Sequence, residues 1–199
     1  VGRHLVAHLR DCGDEVVPTD RSDGGPDLLD ADEFATLVAE VRPDVIYHLA
    51  GQADVAASWL SPIETMRVNV EGTHNILEVA RTFGVAKVLT VSSADIYGVV
   101  APEELPIVES APLRPVSPYA ASKAAADLVA LQAHLGHGQD VVRARAFNHL
   151  GPGQSKSFVG AGFAARIVAA ERSGDDELQT GDLTPRRDFT DVRDVVRAY

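Results

Sequence analysis

The chain has 199 residues, enough for one domain and part of a second, and its formal net charge is -11 at pH 7. Because nucleic acids and anionic membranes select proteins with a basic face, this charge argues against both as bulk partners. The single cysteine, Cys12, cannot form an internal disulfide, and no run of about 18 apolar residues occurs. These features predict a soluble, cytoplasmic globular protein.

The first residues indicate a helix followed by a strand. Leu5 and Leu9 share one helical face, and the β-rich run "EVVPTD" ends at Asp20. In a dinucleotide fold, a glycine turn opens such a helix, and an acidic residue about 20 positions later contacts the ribose. Gly2 is therefore a candidate for the last fingerprint glycine, with an ordinary turn glycine as the alternative. On this interpretation the chain is a piece of a longer protein whose first strand precedes Val1, and we expect this piece not to fold stably alone.

Short apolar runs then alternate with helical patterns. The runs are "DVIYHLA", "KVLTVSS" and "DVVRARAF", and the helical patterns cover residues 34–41, 62–83, 118–135 and 158–172, with a further one ending at Tyr199. Runs without strict polar alternation are typical of strands buried on both faces of a parallel sheet. The pattern predicts an α/β fold, a Rossmann-type doubly wound parallel sheet without its first strand. We expect a partial dinucleotide-binding domain at 1–150 and the start of a smaller substrate domain at 151–199.

The segment "SPYAASKAAAD" places a phenol and an ammonium four residues apart, and therefore on one helix face. A free tyrosine, with a pKa near ~10, transfers protons poorly at neutral pH. A neighbouring ammonium favours the phenolate and lowers that pKa. Tyr119 and Lys123 are thus a candidate acid/base pair, the alternative being a half-buried core tyrosine beside a surface lysine.

The run "KVLTVSSADIYG" ends a predicted buried strand with two serines. Ligands of open α/β sheets bind at the carboxyl ends of the strands. The Ser93 hydroxyl could polarise the same substrate oxygen that Tyr119 protonates. The alternative is that Ser92 and Ser93 satisfy the amides of a turn.

Six motifs, in this order and spacing, resemble the extended short-chain dehydrogenase/reductase superfamily of NAD-dependent epimerases and dehydratases. They are "HLAG", "NVEGT", "SSADIYG", "YAASK", "FNHLGPGQ" and "RRDFTDVRDV", and together they span almost the whole chain. Within the superfamily, "AFNHLGPGQSKSFV" and "RRDFTDVRDVVRAY" are most similar to the GDP-4-keto-6-deoxy-D-mannose reductase branch. The resemblance implies that NADPH or NADH reduces the C4 keto group of a nucleotide sugar, giving GDP-D-rhamnose.

The resemblance also implies roles for individual residues. Tyr119 matches the catalytic acid/base, Lys123 the residue that lowers its pKa and holds the nicotinamide ribose, and Ser93 the hydroxyl that orients the substrate carbonyl. The implied dinucleotide cradle consists of Gly2, Asp20, Arg21, Asp27, Leu28, Leu49, Ala50, Gly51, Gln52 and Asn69. The implied substrate contacts are Ser93, Asn148, Lys156 and Arg187. For Lys156 a solvated loop lysine is the alternative, and for Arg187 a surface pair with Asp188.

The type of reaction stays open. Dehydratases of the superfamily carry Thr-x-Glu-x-Tyr where this chain has Ser93-Ala94-Asp95-Ile96-Tyr97. Asp95 falls at the position of the dehydratase base but is one methylene shorter, and related reductases also carry an acidic residue there. Asp95 is therefore kept as a candidate catalytic residue, and a dehydratase or epimerase as the alternative enzyme. A non-catalytic dinucleotide sensor on the same fold is the third hypothesis.

The sequence and the resemblance also suggest the cofactor and the partners. Asp20 favours a free ribose 2'-hydroxyl and hence NADH, whereas Arg21 could accept the 2'-phosphate of NADPH. The expected partner is a nucleotide-sugar substrate, and analogy with the superfamily suggests a homodimer formed through helices 62–83 and 118–135. His48 is interpreted as a satisfied core histidine rather than a catalyst, and Trp59 and Met66 as packing residues. No cluster of cysteine and histidine has metal-ligand spacing, so no metal is expected.

Overall fold

The structure is a computed structural model that describes all 199 residues, and it confirms the predicted α/β fold. A parallel three-stranded sheet has the order β1 (Val45–His48), β2 (Lys87–Val91) and β3 (Val141–Ala144). The register pairs Ile46 with Val88, and Val88 in turn with Val141. Because the three strands run in one direction, their carboxyl ends meet at a single edge of the sheet.

The chain also forms eight α-helices. They are α1 (Gly2–Asp11), α2 (Ala31–Val41), α3 (Val55–Leu60), α4 (Pro62–Met66), α5 (Gly72–Thr82), α6 (Pro118–His137), α7 (Val159–Ser173) and α8 (Val192–Ala198). A π-helical turn, Arg67–Glu71, joins α4 to α5, so the predicted helix at 62–83 is one helical stretch with a bulge. A second parallel pair, β4 (Asn148–Leu150) and β5 (Phe189–Asp191), precedes α7 and α8 respectively.

The largest core cluster lies where α2, α5 and α6 cover the sheet. Its buried members are Phe34, Val38, Ile76, Leu77, Val79, Ala80, Val88, Ala130 and Ala133. The alanines of α6 have small side chains, which lets this long helix approach the sheet closely. Tyr47 and Leu49 point away from this cluster, since successive strand residues face opposite sides of a sheet. They pack instead against Leu5 of α1 and the buried valines of α8, so the sheet is covered on both faces.

The predicted strand at Glu15–Thr19 is wrong. These residues lie outside regular structure, pair with no strand, and leave 49% of Val17 exposed. A β-strand requires a hydrogen-bonded neighbour, and the sheet of this structure offers none at this position. Asp20 therefore does not end a strand. It caps a 3-10 turn at Arg21–Asp23 by accepting a hydrogen bond from the amide of Ser22 at 2.8 Å.

Three short elements, α3, β4 and β5, were not predicted, because each contains too few residues for a periodic pattern to emerge. Trp59 and Met66, interpreted as packing residues, are 62% and 37% exposed, so neither belongs to the buried core. Trp59 lies on α3 and Met66 ends α4, and both of these helices border α6. No helix of the structure is long and apolar enough to cross a membrane.

We expect Leu77→Ala to lower the free energy of unfolding by about 3 kcal/mol. Leu77 is 2% exposed in the centre of the large core, and truncation would remove apolar contacts and leave a cavity. Urea unfolding of the intact protein measures the change. Leu183→Ala is the matched control, because Leu183 is 69% exposed and its truncation should cost less than about 0.5 kcal/mol. Equal losses in the two variants would contradict this account of the core.

Candidate active site

Ser93 lies at the carboxyl end of the central strand, two residues beyond Val91. It is the N-cap of a 3-10 turn at Ala94–Tyr97, and its hydroxyl oxygen accepts a hydrogen bond from the amide of Asp95 at 3.2 Å. The interpretation of Ser93 as a residue that satisfies a turn amide is therefore confirmed. Because the hydroxyl accepts the amide hydrogen, its own hydrogen remains available for another acceptor. Capping and substrate polarisation are thus compatible roles.

Tyr119 is held at the first turn of α6 by two serines. Ser117 caps the helix, as its Ser-Pro sequence suggests, by accepting from the amide of Ala120 at 3.1 Å. The buried hydroxyl of Ser58 accepts a hydrogen bond from the Tyr119 amide at 3.1 Å. Only 8% of Tyr119 is exposed, and the Ser93 hydroxyl lies close enough to its phenol to lower the pKa of that phenol, although burial outweighs this effect. The structure therefore brings together the two hydroxyls that the motifs single out.

The pKa of the Tyr119 phenol is raised, which contradicts the predicted lowering by Lys123. Burial is the largest cause, the carboxylate of Asp95 adds to it, and the hydrogen bond with Ser93 opposes both. Lys123 is not among the causes of this shift, and its ammonium donates a hydrogen bond to the carbonyl oxygen of Val91 at 2.9 Å. A phenol with a raised pKa is fully protonated at neutral pH. The shift therefore keeps Tyr119 in its neutral form at pH 7 and makes its phenol a weaker acid than a free tyrosine.

Lys123 connects α6 to the end of β2 and faces an exposed loop. Burial lowers the pKa of its ammonium to about 8. An ammonium has three hydrogens, and only the bond to Val91 is formed within the chain. A Cβ added to Gly51, whose φ is 153°, would lie 3.6 Å from the Lys123 nitrogen and 2.7 Å from Oδ1 of Asn69. The absence of a side chain at Gly51 therefore keeps the space beside the ammonium open.

Asn69 joins the loop Leu49–Gln52 to the helix of Tyr119. Its Oδ1 accepts from the Gln52 amide at 2.8 Å, and its Nδ2 donates to the Gln52 carbonyl at 3.0 Å and to the Ser122 hydroxyl at 2.8 Å. The Ser122 hydroxyl in turn donates a hydrogen bond to the carbonyl oxygen of Tyr119 at 2.7 Å. Asn69 lies in the middle of the π-helical turn, a departure from regular helix that is frequent at functional sites.

His48 is a core histidine, as predicted, but only one of its ring nitrogens has a partner. The Thr73 hydroxyl donates to the carbonyl of Asn69 at 2.7 Å, so Nε2 of His48 must be the donor in its 3.1 Å bond with that hydroxyl. Nδ1 is then the unprotonated nitrogen, and it is buried without a partner. Burial, together with the charge of Lys123, lowers the pKa of His48 to about 3.

The remaining cradle residues lie at the start of α1 and in the segment between α1 and α2. The exposed Arg21 guanidinium pairs with Asp27 at 3.1 Å. Leu28 packs against Gly72, and Gly2 begins α1 in an exposed position. No hydrogen bond or ion pair joins these residues to Lys123.

The predicted substrate residues lie on the second sheet and its neighbouring loops. Asn148 begins β4 and is paired in register with Phe189, two residues after Arg187. The Arg187 guanidinium is exposed and donates to the carbonyl of Arg186 at 2.7 Å. Lys156 lines a cavity of about 370 Å³ at the start of α7. None of these three side chains contacts Tyr119.

Sequence reasoning missed the polar groups that fix Tyr119. Ser122 lies inside the "YAASK" motif, three residues after the tyrosine, so helical spacing could have identified it. Ser58 is distant in sequence, and no pattern indicates its contact. No group of three or more histidine, cysteine or acidic side chains is arranged to hold a metal ion.

Comparison with known proteins identifies relatives over the whole chain. Residues 1–199 match the NAD dependent epimerase/dehydratase family. GDP-6-deoxy-D-mannose reductase of Pseudomonas aeruginosa is 41% identical over 204 residues, which cover 100% of this chain and 66% of the relative. GDP-mannose 4,6-dehydratase of Yersinia enterocolitica is 32% identical over 174 residues, which cover 86% of this chain and 46% of the relative.

A solved structure supports the same grouping. RMD from Pseudomonas aeruginosa complexed with NADPH superposes with a TM-score of 0.86 at 40% identity, over 100% of this chain and 68% of that chain. The chain spans less than two thirds of the length of the curated relatives given above.

We expect the buried His48 to make stability depend on pH. Its pKa of about 3 lies below the usual 6.5, so the unfolded state binds more protons between these values, and stability falls as pH falls through this window. His48→Gln keeps a donor for Thr73 but cannot titrate. Urea unfolding at pH 7 and pH 5 should show about 2 kcal/mol more loss for the wild type than for the variant. Equal losses would refute the unprotonated, buried state of His48.

Proposed function

Because the chain belongs to the NAD dependent epimerase/dehydratase family, we propose that it reduces the C4 keto group of a nucleotide-linked 4-keto-6-deoxy sugar. The substrate is GDP-4-keto-6-deoxy-D-mannose, the product is GDP-D-rhamnose, and the reductant is NADPH or NADH. One observation carries the proposal: a buried, protonated Tyr119 phenol lies beside the Ser93 hydroxyl at the carboxyl edge of the sheet. The 41% identity to a GDP-6-deoxy-D-mannose reductase supports the choice of substrate.

The residues around Lys123 fit a nicotinamide cofactor. The ammonium has hydrogens left for ribose hydroxyls, and the exposed backbone of Ala50 and Gly51 leaves room beside it. Asn69 fixes the position of this loop through Gln52. When bound, NADPH or NADH supplies the hydride.

Ser93 and Tyr119 handle the substrate oxygen. Ser93 donates its hydroxyl hydrogen to the C4 carbonyl and so polarises it, which makes the carbon a better hydride acceptor. As the hydride arrives, negative charge develops on the oxygen, and the Tyr119 phenol transfers its proton there. The raised pKa of Tyr119 keeps the phenol protonated until an alkoxide, which is a stronger base, appears. The product is a neutral alcohol.

The exposed cations after β3 are proposed to hold the nucleotide diphosphate. Arg187 presents a guanidinium whose planar donors suit phosphate oxygens, and β4–β5 pairing joins its segment to that of Asn148. Lys156 lines the nearby cavity at the start of α7. In this proposal residues 1–150 bind the dinucleotide and residues 151–199 begin the substrate-binding part.

A dehydratase is the second candidate, and the position of Asp95 is what favours it. Its carboxylate lies close enough to Tyr119 to raise the pKa of the phenol, so it faces the site. Dehydration, however, also needs an acid to expel the C6 hydroxyl, and Ala94 supplies none. The lower identity to GDP-mannose 4,6-dehydratase, 32%, agrees with this preference for reduction.

We also propose a cytoplasmic homodimer. Leu60 at the end of α3 and Ile63 in α4 are 86% and 74% exposed, and Leu128 and Leu135 are 53% and 73% exposed on the neighbouring α6. Exposed apolar residues on neighbouring helices indicate a surface that a second copy covers. The free, exposed Cys12 fits a reducing compartment.

Supplying the intact protein with each candidate substrate tests the reaction. With GDP-4-keto-6-deoxy-D-mannose and NADPH or NADH, we expect oxidation of the cofactor, followed at 340 nm, and formation of GDP-D-rhamnose. Tyr119→Phe should lower kcat by at least about 100-fold and leave cofactor affinity nearly intact, because only the proton donor is lost.

Two results of this assay would contradict the proposal. Conversion of GDP-mannose without added cofactor would show that the protein is a dehydratase rather than a reductase. Unchanged kcat in Tyr119→Phe would remove Tyr119 from the mechanism.

Changing the apolar helix face tests the dimer. We expect the wild type to sediment as a dimer at micromolar concentration and Leu128→Glu/Leu135→Glu to sediment as a monomer, because buried unpaired carboxylates oppose association. Val99→Glu is the control, since Val99 is 78% exposed elsewhere on the surface, and this variant should remain dimeric. A monomeric wild type, or a dimeric double variant, would contradict this interface.

A further inference from the structure

The helix that carries Tyr119 and Lys123 also carries a buried carboxylate. Asp127 lies one turn after Lys123 on α6, and its side chain is 0% exposed. Arg143 donates to its Oδ2 at 2.6 Å, and Arg145 donates to Oδ1 from Nε at 3.0 Å and to Oδ2 from Nη2 at 2.8 Å. The bond with Arg145 is therefore bidentate, which fixes the angle between α6 and the chain after β3.

Arg145 also reaches the turn that contains Ser93. Its Nη1 donates to the phenol oxygen of Tyr97 at 2.9 Å and to the carbonyl oxygen of Glu109 at 2.7 Å. Tyr97 is the last residue of the 3-10 turn that Ser93 caps. One guanidinium thus holds the helix of Tyr119 through Asp127 and the turn of Ser93 through Tyr97.

Two backbone hydrogen bonds also connect the residues beside Ser93 to the residues beside Arg145. The amide of Ser92 donates to the carbonyl of Ala144 at 2.8 Å, and the amide of Ala94 donates to the carbonyl of Ala146 at 2.9 Å. The residues before and after Ser93 are therefore hydrogen-bonded to the residues before and after Arg145. A displacement of Arg145 is transmitted to Ser93 through both routes.

We propose that Arg145 is a positioning residue, which sets the separation of the Ser93 hydroxyl from the Tyr119 phenol by clamping Tyr97 and Asp127 together. This inference rests on the proposed reaction, in which both hydroxyls act on one substrate oxygen. Arg145 itself touches neither hydroxyl.

Stability alone gives a weaker reason for this arrangement. Burying an ion pair costs desolvation free energy that its attraction often fails to offset, so such a pair is weak evidence of stabilisation. Arg143 already neutralises Asp127, and it makes no contact with Tyr97 or Glu109. The additional contacts of Arg145 all lead to the Ser93 turn and its neighbouring loop.

Arg145→Lys tests the proposal in the intact protein, with Arg143→Lys as the matched control. Lysine keeps the charge next to Asp127 but cannot also hold Tyr97 and Glu109. At a temperature where both variants are folded, we expect Arg145→Lys to lower kcat roughly 10- to 100-fold, with KM for the cofactor within about twofold. Arg143→Lys should keep kcat within about threefold.

The route through Ser93 has its own test. If Arg145 acts through that hydroxyl, Arg145→Lys should lower kcat less than about twofold in a Ser93→Ala background. Similar losses in Arg145→Lys and Arg143→Lys, or a full Arg145→Lys loss in the Ser93→Ala background, would overturn the proposal.

A crystal structure of Arg145→Lys separates this inference from the proposed function. A wild type that turns over no keto sugar contradicts the proposed function alone. In that case, a Ser93–Tyr119 separation changed by roughly 1 Å or more supports the positioning role, and an unchanged separation overturns it.

Discussion

The parallel pairing of β2 between β1 and β3 is the constraint on which the rest of the structure depends. It places the carboxyl end of the central strand at the edge of the sheet where α6 begins. Lys123 then ties that helix to the strand by donating to the carbonyl of Val91 at 2.9 Å. Ser93, two residues further on, comes within reach of Tyr119. The two hydroxyls meet because a strand end and a helix start are fixed to each other.

Burial determines what these groups can do. Removing Tyr119 from water raises the pKa of its phenol, and removing Lys123 from water lowers the pKa of its ammonium to about 8. His48, in the same interior, is held neutral. The environment therefore favours uncharged forms and a protonated phenol, which suits delivery of a proton to an oxygen that acquires negative charge. The proposed reduction requires such a proton transfer from the enzyme to the substrate oxygen.

Much of this could be predicted from the sequence, because helices and buried strands have periodic patterns. The long helix α6, the strand end at Ser93 and the Tyr119–Lys123 spacing are local features and were predicted. The strand at Glu15–Thr19 was wrong, since pairing depends on a neighbour that the local sequence does not reveal. The direction of the Tyr119 pKa was wrong, because burial, the largest cause of the shift, is a tertiary effect. Contacts such as that of Ser58 with Tyr119 join residues distant in sequence and have no pattern.

We propose that the two hydroxyls and the ammonium surround one nicotinamide, and a crystal structure of the intact protein with NADPH tests this most directly. It should place Lys123 Nζ within roughly 3 Å of a hydroxyl of the nicotinamide ribose, with the Tyr119 phenol and Ser93 hydroxyl on the substrate side of the ring. A nicotinamide bound away from Lys123, or a Tyr119 phenol turned into the core, would contradict the account.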